Sequence, residues 1–554
     1  MIEIRVLNSL AKVFPDMPLN EEYVAAGGSA LLGERYSFQA AYRCVDRPQT
    51  GVGFRAESDL GEALSVRFVD NVPCDLTVPA GCEDVCEHPL PGLMPDILRP
   101  LPPVLWAYNT VWRALWLTVD TDRPEAVPGE HVIRLVFNDD AESTAEFRLK
   151  ILDYRLPEQT LPVTNWFHSD CLCNYYGVEF GSEAYWRIME NFAAAAVRNG
   201  VNTLLTPVFT PPLDTAPGGE RRTTQLVKVF VRPDGSYDFG FGLLDRYIDV
   251  CLKVGVRYFE ISHLFTQWGC RNAPKVIGTL PDGTETRLFG WETDGTGLEY
   301  SAFLRAFLTA LCTFLKGRGV FDRCFFHVSD EPDWATMHEQ YARGAALVRE
   351  FVPEAQIIDA MSHTEFYEHG LIRTPVAALT SIDAFVDAGI SEVWGYYCCG
   401  QIRSSNRLVA TPSYRNRVLG AQLFRYDVKG FLQWGFNFYN SHLSLEQVDP
   451  FGSSTAGGWV PGGDPFVVYP GPDGTPWESI RLAVFNEALC DYRALTALLG
   501  SGKAGDREDI VRALGLDRWP FVDFKVSAAE LIEMREKTNA LIAQMANGKL
   551  KMAN

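Results

Sequence analysis

From about residue 160 the chain alternates short apolar runs with longer amphipathic segments. The runs are VTNWFHSD (163–170), VNTLLTPVF (201–209), VRYFEISHLF (256–265), RCFFHVSDEP (323–332), QIIDAMSH (356–363), VAALTSID (376–383), EVWGYYCC (392–399) and GFLQWGFNFY (430–439). Segments with helical periodicity lie between them, among them 182–199, 299–319 and 333–351. Runs this evenly apolar belong to strands covered on both faces, the habit of a parallel sheet flanked by helices. Eight such units predict a central (β/α)8, TIM-like barrel. Its weakest joint falls between the sixth and seventh runs, where AFVDAGISE scarcely supplies a helix, so an incomplete or distorted barrel is a second expectation.

The flanks follow other patterns. WRALWLTVDTD (112–122) and EHVIRLVFNDD (130–140) are strand-like and separated by a turn-rich RPEAVPG. They predict an N-terminal β-sandwich over 1–157, ahead of the barrel over 158–475. Residues 476–554 read as helical, with Ser527 and Glu530 in capping-box spacing at the start of the last helix. The fold class is thus multidomain, β plus α/β.

Composition narrows the picture. A net charge of −20 repels phosphate backbones and anionic bilayers, so neither nucleic acid nor a membrane is an expected partner. The first residues, MIEIRVLNSLAKVFPDMP, lack the charged, apolar and small-residue zones of a secretory leader, and no run of about 18 apolar residues occurs. The expectation is a soluble cytoplasmic protein. Thirteen cysteines without framework spacing suit reduced thiols. Cys74, Cys82, Cys86 and His88 offer a zinc donor set, but in no common spacing, and no metal is expected.

In a barrel the chemistry gathers where strands end. Here those ends carry His168, Asp170, His263, Asp330, Glu331, His363 and Asp383, and the last two strands bring Trp394, Tyr396, Tyr397, Trp434, Asn437 and Tyr439. Carboxylates among Trp and Tyr suit a sugar, whose ring has an apolar face and a polar rim. By strand alternation His327, Ser329 and Glu331 face one way and Asp330 the other. Pro332 ends the strand, so the turn can bring both acids to one ligand. The connection 266–297 is a candidate lid containing a PDG hairpin. Asn406, Arg407, Arg415 and Arg417 read as loop-holding groups before substrate-binding ones, and Asp464 and Tyr469 as residues reaching over the pocket. No phosphate loop, dinucleotide fingerprint, HExxH or GxSxG pattern is present.

FHVSDEP, VWGYYCCGQ, SNRLVATPSYRNR, GFLQWGFNFYNS and DPFVVYPGPDGTPWESIRLAVFNEALCDYRAL together resemble the bacterial domain of unknown function 4091 over roughly 105–500. That domain is similar to glycoside hydrolase family 123, exo-acting β-N-acetylgalactosaminidases with substrate-assisted catalysis. The resemblance implies that Glu331 is the general acid/base and Asp330 orients the 2-acetamido group. It implies no cofactor and a small glycoside or oligosaccharide as partner. Trp394, Tyr396, Tyr397, Trp434, Asn437, His363, Asp383 and His168 are the candidate sugar-binding residues. Two rivals stay open: a two-carboxylate glycosidase with Asp170 or Asp383 opposite Glu331, and a non-catalytic carbohydrate-binding protein. The oligomeric state is open, a homodimer included.

Overall fold

The computed structural model describes residues 1–138, 142–546 and 548. The eight apolar runs become the eight strands of one closed parallel barrel: Val163–Asn165, Thr203–Thr206, Tyr258–Ile261, Cys324–Phe326, Gln356–Met361, Thr374–Ala378, Trp394–Tyr396 and Phe431–Gln433. Closure is direct, since the first strand pairs with both the second and the eighth. The doubtful joint holds as well. Helix Ile382–Asp387 is short, but the sixth and seventh strands still pair, Val376 with Trp394 and Ala378 with Tyr396.

Alternation along these strands fills the barrel with Leu205, Phe325, Ile358, Val376, Trp394 and Leu432. The opposite faces meet the surrounding helices, of which Leu298–Gly317 shows why composition alone misleads. Its length and hydropathy would suffice for a membrane span. Instead it buries one face, including Phe303, Leu304, Phe307 and Leu311, against the barrel's outer layer.

The N-terminal region is two β-sheets packed face to face. Phe38 of one sheet and Phe147 of the other stack with ring centroids 4.1 Å apart. The sandwich does not end with residue 157. Strands Val468–Pro470 and Pro476–Ser479 return from beyond the barrel and extend the first sheet, pairing through Glu478 and Ser479 with Leu98 and Ile97. The 1–157, 158–475 and 476–554 expectation therefore divides the chain in sequence, whereas the sheet crosses both divisions in space.

Buried charge fastens these parts. Glu478 accepts from Arg67 at 2.5 Å and from Arg198 at 2.8 Å, with Arg35 at 3.5 Å. Those three guanidinium groups hold its carboxyl well below the usual range despite burial. Helix Ile480–Gly500, buried along most of its length, is tied to the sheet by a bidentate Arg481–Asp96 pair at 2.9 and 2.8 Å. The last helix, Ala528–Ala546, opens on the capping box read from the sequence: Ser527 N donates to Glu530 Oε2 at 2.9 Å, and Glu530 N to Ser527 Oγ at 3.2 Å.

Segment 266–297 is not a lid as a whole. Its hairpin, Val276–Thr279 with Glu285–Phe289, joins Lys228–Val231 and Tyr237–Gly240 in a separate four-stranded sheet, and Phe289 packs on Tyr300 and Phe303. Only its first residues reach the cavity described next.

Candidate active site

The fourth barrel strand stops at Phe326, and FHVSDEP continues as irregular chain over the barrel mouth. Several residues there have fixed partners. Ser329 Oγ donates to the Thr266 carbonyl at 2.9 Å and accepts from Gly269 N at 3.1 Å. The Asp330 carbonyl accepts from Trp268 N at 3.0 Å. Glu331 then adopts φ +39°, the left-handed region that costs a side-chain-bearing residue about 1 kcal/mol or more. Trp268 is left-handed too, at φ +62°. These two non-glycine residues in the left-handed region, with the Trp268–Asp330 hydrogen bond between their segments, turn both acids toward the same space.

That space is a partly open cavity of about 140 Å³. Asp330, Glu331 and Asp214 supply its acids, and Trp166, Trp268, Tyr396, Trp434, Phe438 and Trp459 its aromatic walls. Tyr396 Oη donates to Glu331 Oε1 at 2.6 Å. Trp434 Nε1 donates to Asp464 Oδ2 at 2.9 Å, which fixes the indole's plane. Trp459 is 58 % exposed at the rim, its inner face stacked on His442 at 3.5 Å.

The electrostatics favour a proton kept on the site. Burial and the neighbouring Glu331 and Asp214 charges push the Asp330 carboxyl well up, while His327 opposes them. Asp214 is raised to about 6, by burial first, against the pull of Arg221. Beneath lies a buried chain of groups. His327 Nε2 is 2.5 Å from Glu260 Oε1, its Nδ1 is 3.1 Å from Asp359 Oδ1, and Tyr341 Oη donates to Asp359 Oδ2 at 2.6 Å. Burial disfavours the His327 charge, but hydrogen bonds to the two carboxylates prevail and lift it to about 9.

Among the described residues His263, His327 and Asp359 are the one group tight enough for a metal ion, with ligand atoms within 4.8 Å of one another. Both His327 nitrogens are already engaged, and an imidazolium has no lone pair to give. His263 stacks on that ring at 4.1 Å. The group fits a buried cation between carboxylates better than a metal centre. In the Cys74, Cys82, Cys86 and His88 set, the His88 ring is held by Asp16 at 2.9 Å and by the Leu90 carbonyl at 2.8 Å. Among the described residues no cysteine is in a disulfide.

Of the residues singled out by sequence, Asp330, Glu331, Tyr396 and Trp434 line the cavity. The others are placed differently. Trp394 is 3 % exposed lower in the barrel, edge-on to Phe325. Tyr397 has the opposite parity and packs outward on Phe431. Asn437 bridges to the His168 backbone through both amide atoms, at 2.9 and 3.1 Å. His168 is driven down to about 3 by burial and Arg221, so it is neutral, donating from Nε2 to the Trp434 carbonyl and accepting from Arg221 at Nδ1. His363 is on the surface near Asp333, and Asp383 is exposed on helix Ile382–Asp387. Asp170 is spent on a buried bidentate pair with Arg221 at 2.8 and 2.6 Å. Neither Asp170 nor Asp383 therefore stands opposite Glu331.

Arg407, Arg415 and Arg417 are structural, as the sequence reading preferred. Arg407 donates to Asn165 Oδ1 at 2.6 Å, Arg415 to backbone carbonyls and Arg417 to Asp491 and Glu487. Asn406 holds the Cys398 carbonyl at 3.0 Å. Tyr469 points away, to Asp96 at 2.6 Å.

Sequence reasoning missed Asp214, Trp166, Trp268 and Trp459. Asp214 sits in the loop after the second strand at φ +45°, held where Arg221 donates to the Leu213 carbonyl at 3.1 Å and Ser444 to its own carbonyl at 2.7 Å. Nothing local in PPLDT reveals those distant partners. Trp166 was within reach, since it precedes His168 by two residues and shares its parity.

The family described as glycoside hydrolase 123, catalytic domain, matches residues 166–498. Among solved structures, the chain is similar to a family 123 glycoside hydrolase from Clostridium perfringens studied for glycolipid glycan hydrolysis, with 14% identity, 99% of each chain covered and a TM-score of 0.73. At that identity the likeness speaks for the fold. A xyloglucanase from Bacteroides ovatus (10% identity, 88% of this chain and 100% of that one, TM-score 0.30) overlaps too poorly to bear on the site. So does a β-D-glucuronidase from Dictyoglomus thermophilum (9% identity, 83% and 68%, TM-score 0.33). A search of curated protein sequences finds no match.

The left-handed turn yields a stability test. Glu331→Gly and Glu331→Ala lose the carboxylate and its Tyr396 hydrogen bond alike and differ in tolerance of the left-handed backbone, so the glycine variant is expected to be about 1 kcal/mol more stable than the alanine variant in urea unfolding. An alanine variant as stable as the glycine one would mean that the turn is not strained.

Proposed function

The chain belongs to glycoside hydrolase family 123, and from that premise we propose that it removes a terminal β-N-acetylgalactosamine, or β-N-acetylglucosamine, from a glycan, with the sugar's own 2-acetamido oxygen as nucleophile. The observation that carries the proposal is the pairing of adjacent acids, Asp330 and Glu331, on one turn facing one aromatic-walled cavity. A protein nucleophile would require a second carboxylate across the sugar, about 5 Å from the acid. Neighbours on one turn suit a substrate that brings the nucleophile with it.

In this reading Glu331 gives its proton to the glycosidic oxygen as the bond to the anomeric carbon breaks. The acetamido oxygen attacks that carbon from the other face and closes an oxazolinium ring. Asp330 accepts the amide N–H and balances the positive charge that develops there. Water then opens the ring, its proton going to Glu331, with net retention. Tyr396 aims the Glu331 carboxylate, and Trp434, locked by Asp464, offers its face to the sugar. Trp459, stacked on His442 and open to solvent at the rim, suits the next ring of a glycan. A glycolipid headgroup, which the Clostridium perfringens study concerned, is one such glycan.

One observation favours a second reading. Asp214 lines the same cavity with a carboxyl raised to about 6. A two-carboxylate mechanism would run through it, and through neither Asp170 nor Asp383.

A panel of 4-nitrophenyl β-glycosides, with and without the 2-acetamido group, separates the two. The expected outcome is turnover of the N-acetyl sugars alone, with Glu331→Gln and Asp330→Asn each losing roughly 100-fold or more in kcat. Equal turnover of plain β-galactosides, abolished by Asp214→Asn, would install the second reading.

The pH profile carries a signed expectation. Asp330 acts as a carboxylate, and its raised pKa makes activity climb as pH rises through that value. His327 is the cation that restrains the rise, so His327→Gln is expected to move the acid limb of kcat/KM to higher pH. A limb that stays put or moves down would contradict this assignment.

A further inference from the structure

We propose that Cys398 and Cys399 form a dithiol site in the wall of this cavity, one that takes a soft trivalent thiophile, an organoarsenical(III) being the probe, and thereby closes the cavity to sugar. The closing arm rests on the sugar reading above; the binding arm does not.

The two thiols are adjacent in sequence, just past the seventh barrel strand, both are free and half-buried, and both line the cavity with Glu331, Tyr396 and Trp434. Their backbone is fixed from behind. Cys398 N donates to Gln401 Oε1 at 2.8 Å, and the Cys398 carbonyl accepts from Gln401 N at 3.2 Å and from Asn406 Nδ2 at 3.0 Å. Gln401 and Asn406 are themselves buried. Cys398 Sγ donates to Gln401 Oε1 at 3.2 Å, and both side chains line the cavity from this rigid base.

The neighbouring Cys399 thiol and burial hold the Cys398 thiol well above its ordinary range, so Cys398 is neutral. Reagents that need a thiolate meet a poor nucleophile at Cys398. A reagent that bonds to both sulfurs gains from their proximity, a factor of about 10²–10⁴ over one thiol. With phenylarsine oxide the step balances without oxidant or reductant. Two As–S bonds form, arsenic gives up its oxygen, and the two S–H protons leave with that oxygen as water. The adduct then stands beside Glu331 and Trp434, where the sugar ring would lie.

Two other cysteines escape full burial, Cys82 and Cys86. They pack in a separate cluster with Val78, Ile402 and Leu408 and are the internal control.

The test is titration of the full chain with phenylarsine oxide, read by intact-mass and peptide-mapping mass spectrometry. Expected is one arsenical per chain, mapped to Cys398–Cys399, retained by a Cys82→Ser/Cys86→Ser variant, and removed by 2,3-dimercaptopropanol but not by 2-mercaptoethanol. Cys399→Ser and Cys398→Ala are each expected to weaken uptake by about 100-fold. N-acetylgalactosamine is expected to slow uptake by the parent. Unchanged uptake in both cysteine variants, or mapping to Cys82 and Cys86, would overturn the site. Uptake at Cys398–Cys399 that the sugar leaves untouched would keep the site and overturn the closing arm.

Discussion

One hydrogen bond, from the Trp268 amide to the Asp330 carbonyl, ties left-handed Trp268 to the residue that precedes left-handed Glu331 and sets the geometry on which the site depends. A regular strand would send Asp330 and Glu331 to opposite faces. Ending the strand at Phe326, fixing Ser329 between Thr266 and Gly269, and forcing Glu331 past φ 0° removes that alternation. The strain is held by the surrounding barrel, whose rigid strands give the loops something to pull against. Tyr396, from three strands further round, then catches the Glu331 carboxylate.

Below the turn the barrel spends apolar volume on charge. Glu260 receives Trp166 Nε1 at 2.7 Å and His327 at 2.5 Å, so the same carboxylate that steadies the cavity floor also charges the histidine. An imidazolium in a site shielded from water acts strongly on a neighbouring acid. It offsets part of the repulsion that packing Asp330, Glu331 and Asp214 together creates. On the far side, Asp170 and Arg221 do similar work by geometry, holding neutral His168 and the Leu213 carbonyl, and through them Trp434 and Asp214.

The barrel was legible because its signal is local. Each strand is an apolar run that needs no knowledge of its partner, and the capping box at Ser527 is likewise written within four residues. What depends on distant pairing was not legible. Strands Val468–Pro470 and Pro476–Ser479 join a sheet whose other members lie more than 300 residues earlier, and nothing in their sequence names that sheet. The site divides in the same way. Trp394 and Tyr396 share a parity and both face inward, but depth along the barrel axis decides that Tyr396 meets the cavity and Trp394 fills the core. Asn437 and His168 have the polarity of ligand-binding groups, but Asn437 spends it on the His168 backbone and His168 on the Trp434 carbonyl and Arg221. Asp214 owes its place to Arg221 and Ser444, partners that no motif announces.

The central claim, that the two acids serve opposite ends of one acetamido sugar, is tested most directly by a crystal structure with a thiazoline analogue of the bicyclic oxazolinium. The account predicts an Asp330 oxygen about 2.7–2.9 Å from the thiazoline nitrogen and the Glu331 carboxyl on the anomeric side, over the leaving-group position. A thiazoline nitrogen facing Asp214, or a ring bound with Asp330 turned away from it, would contradict the account.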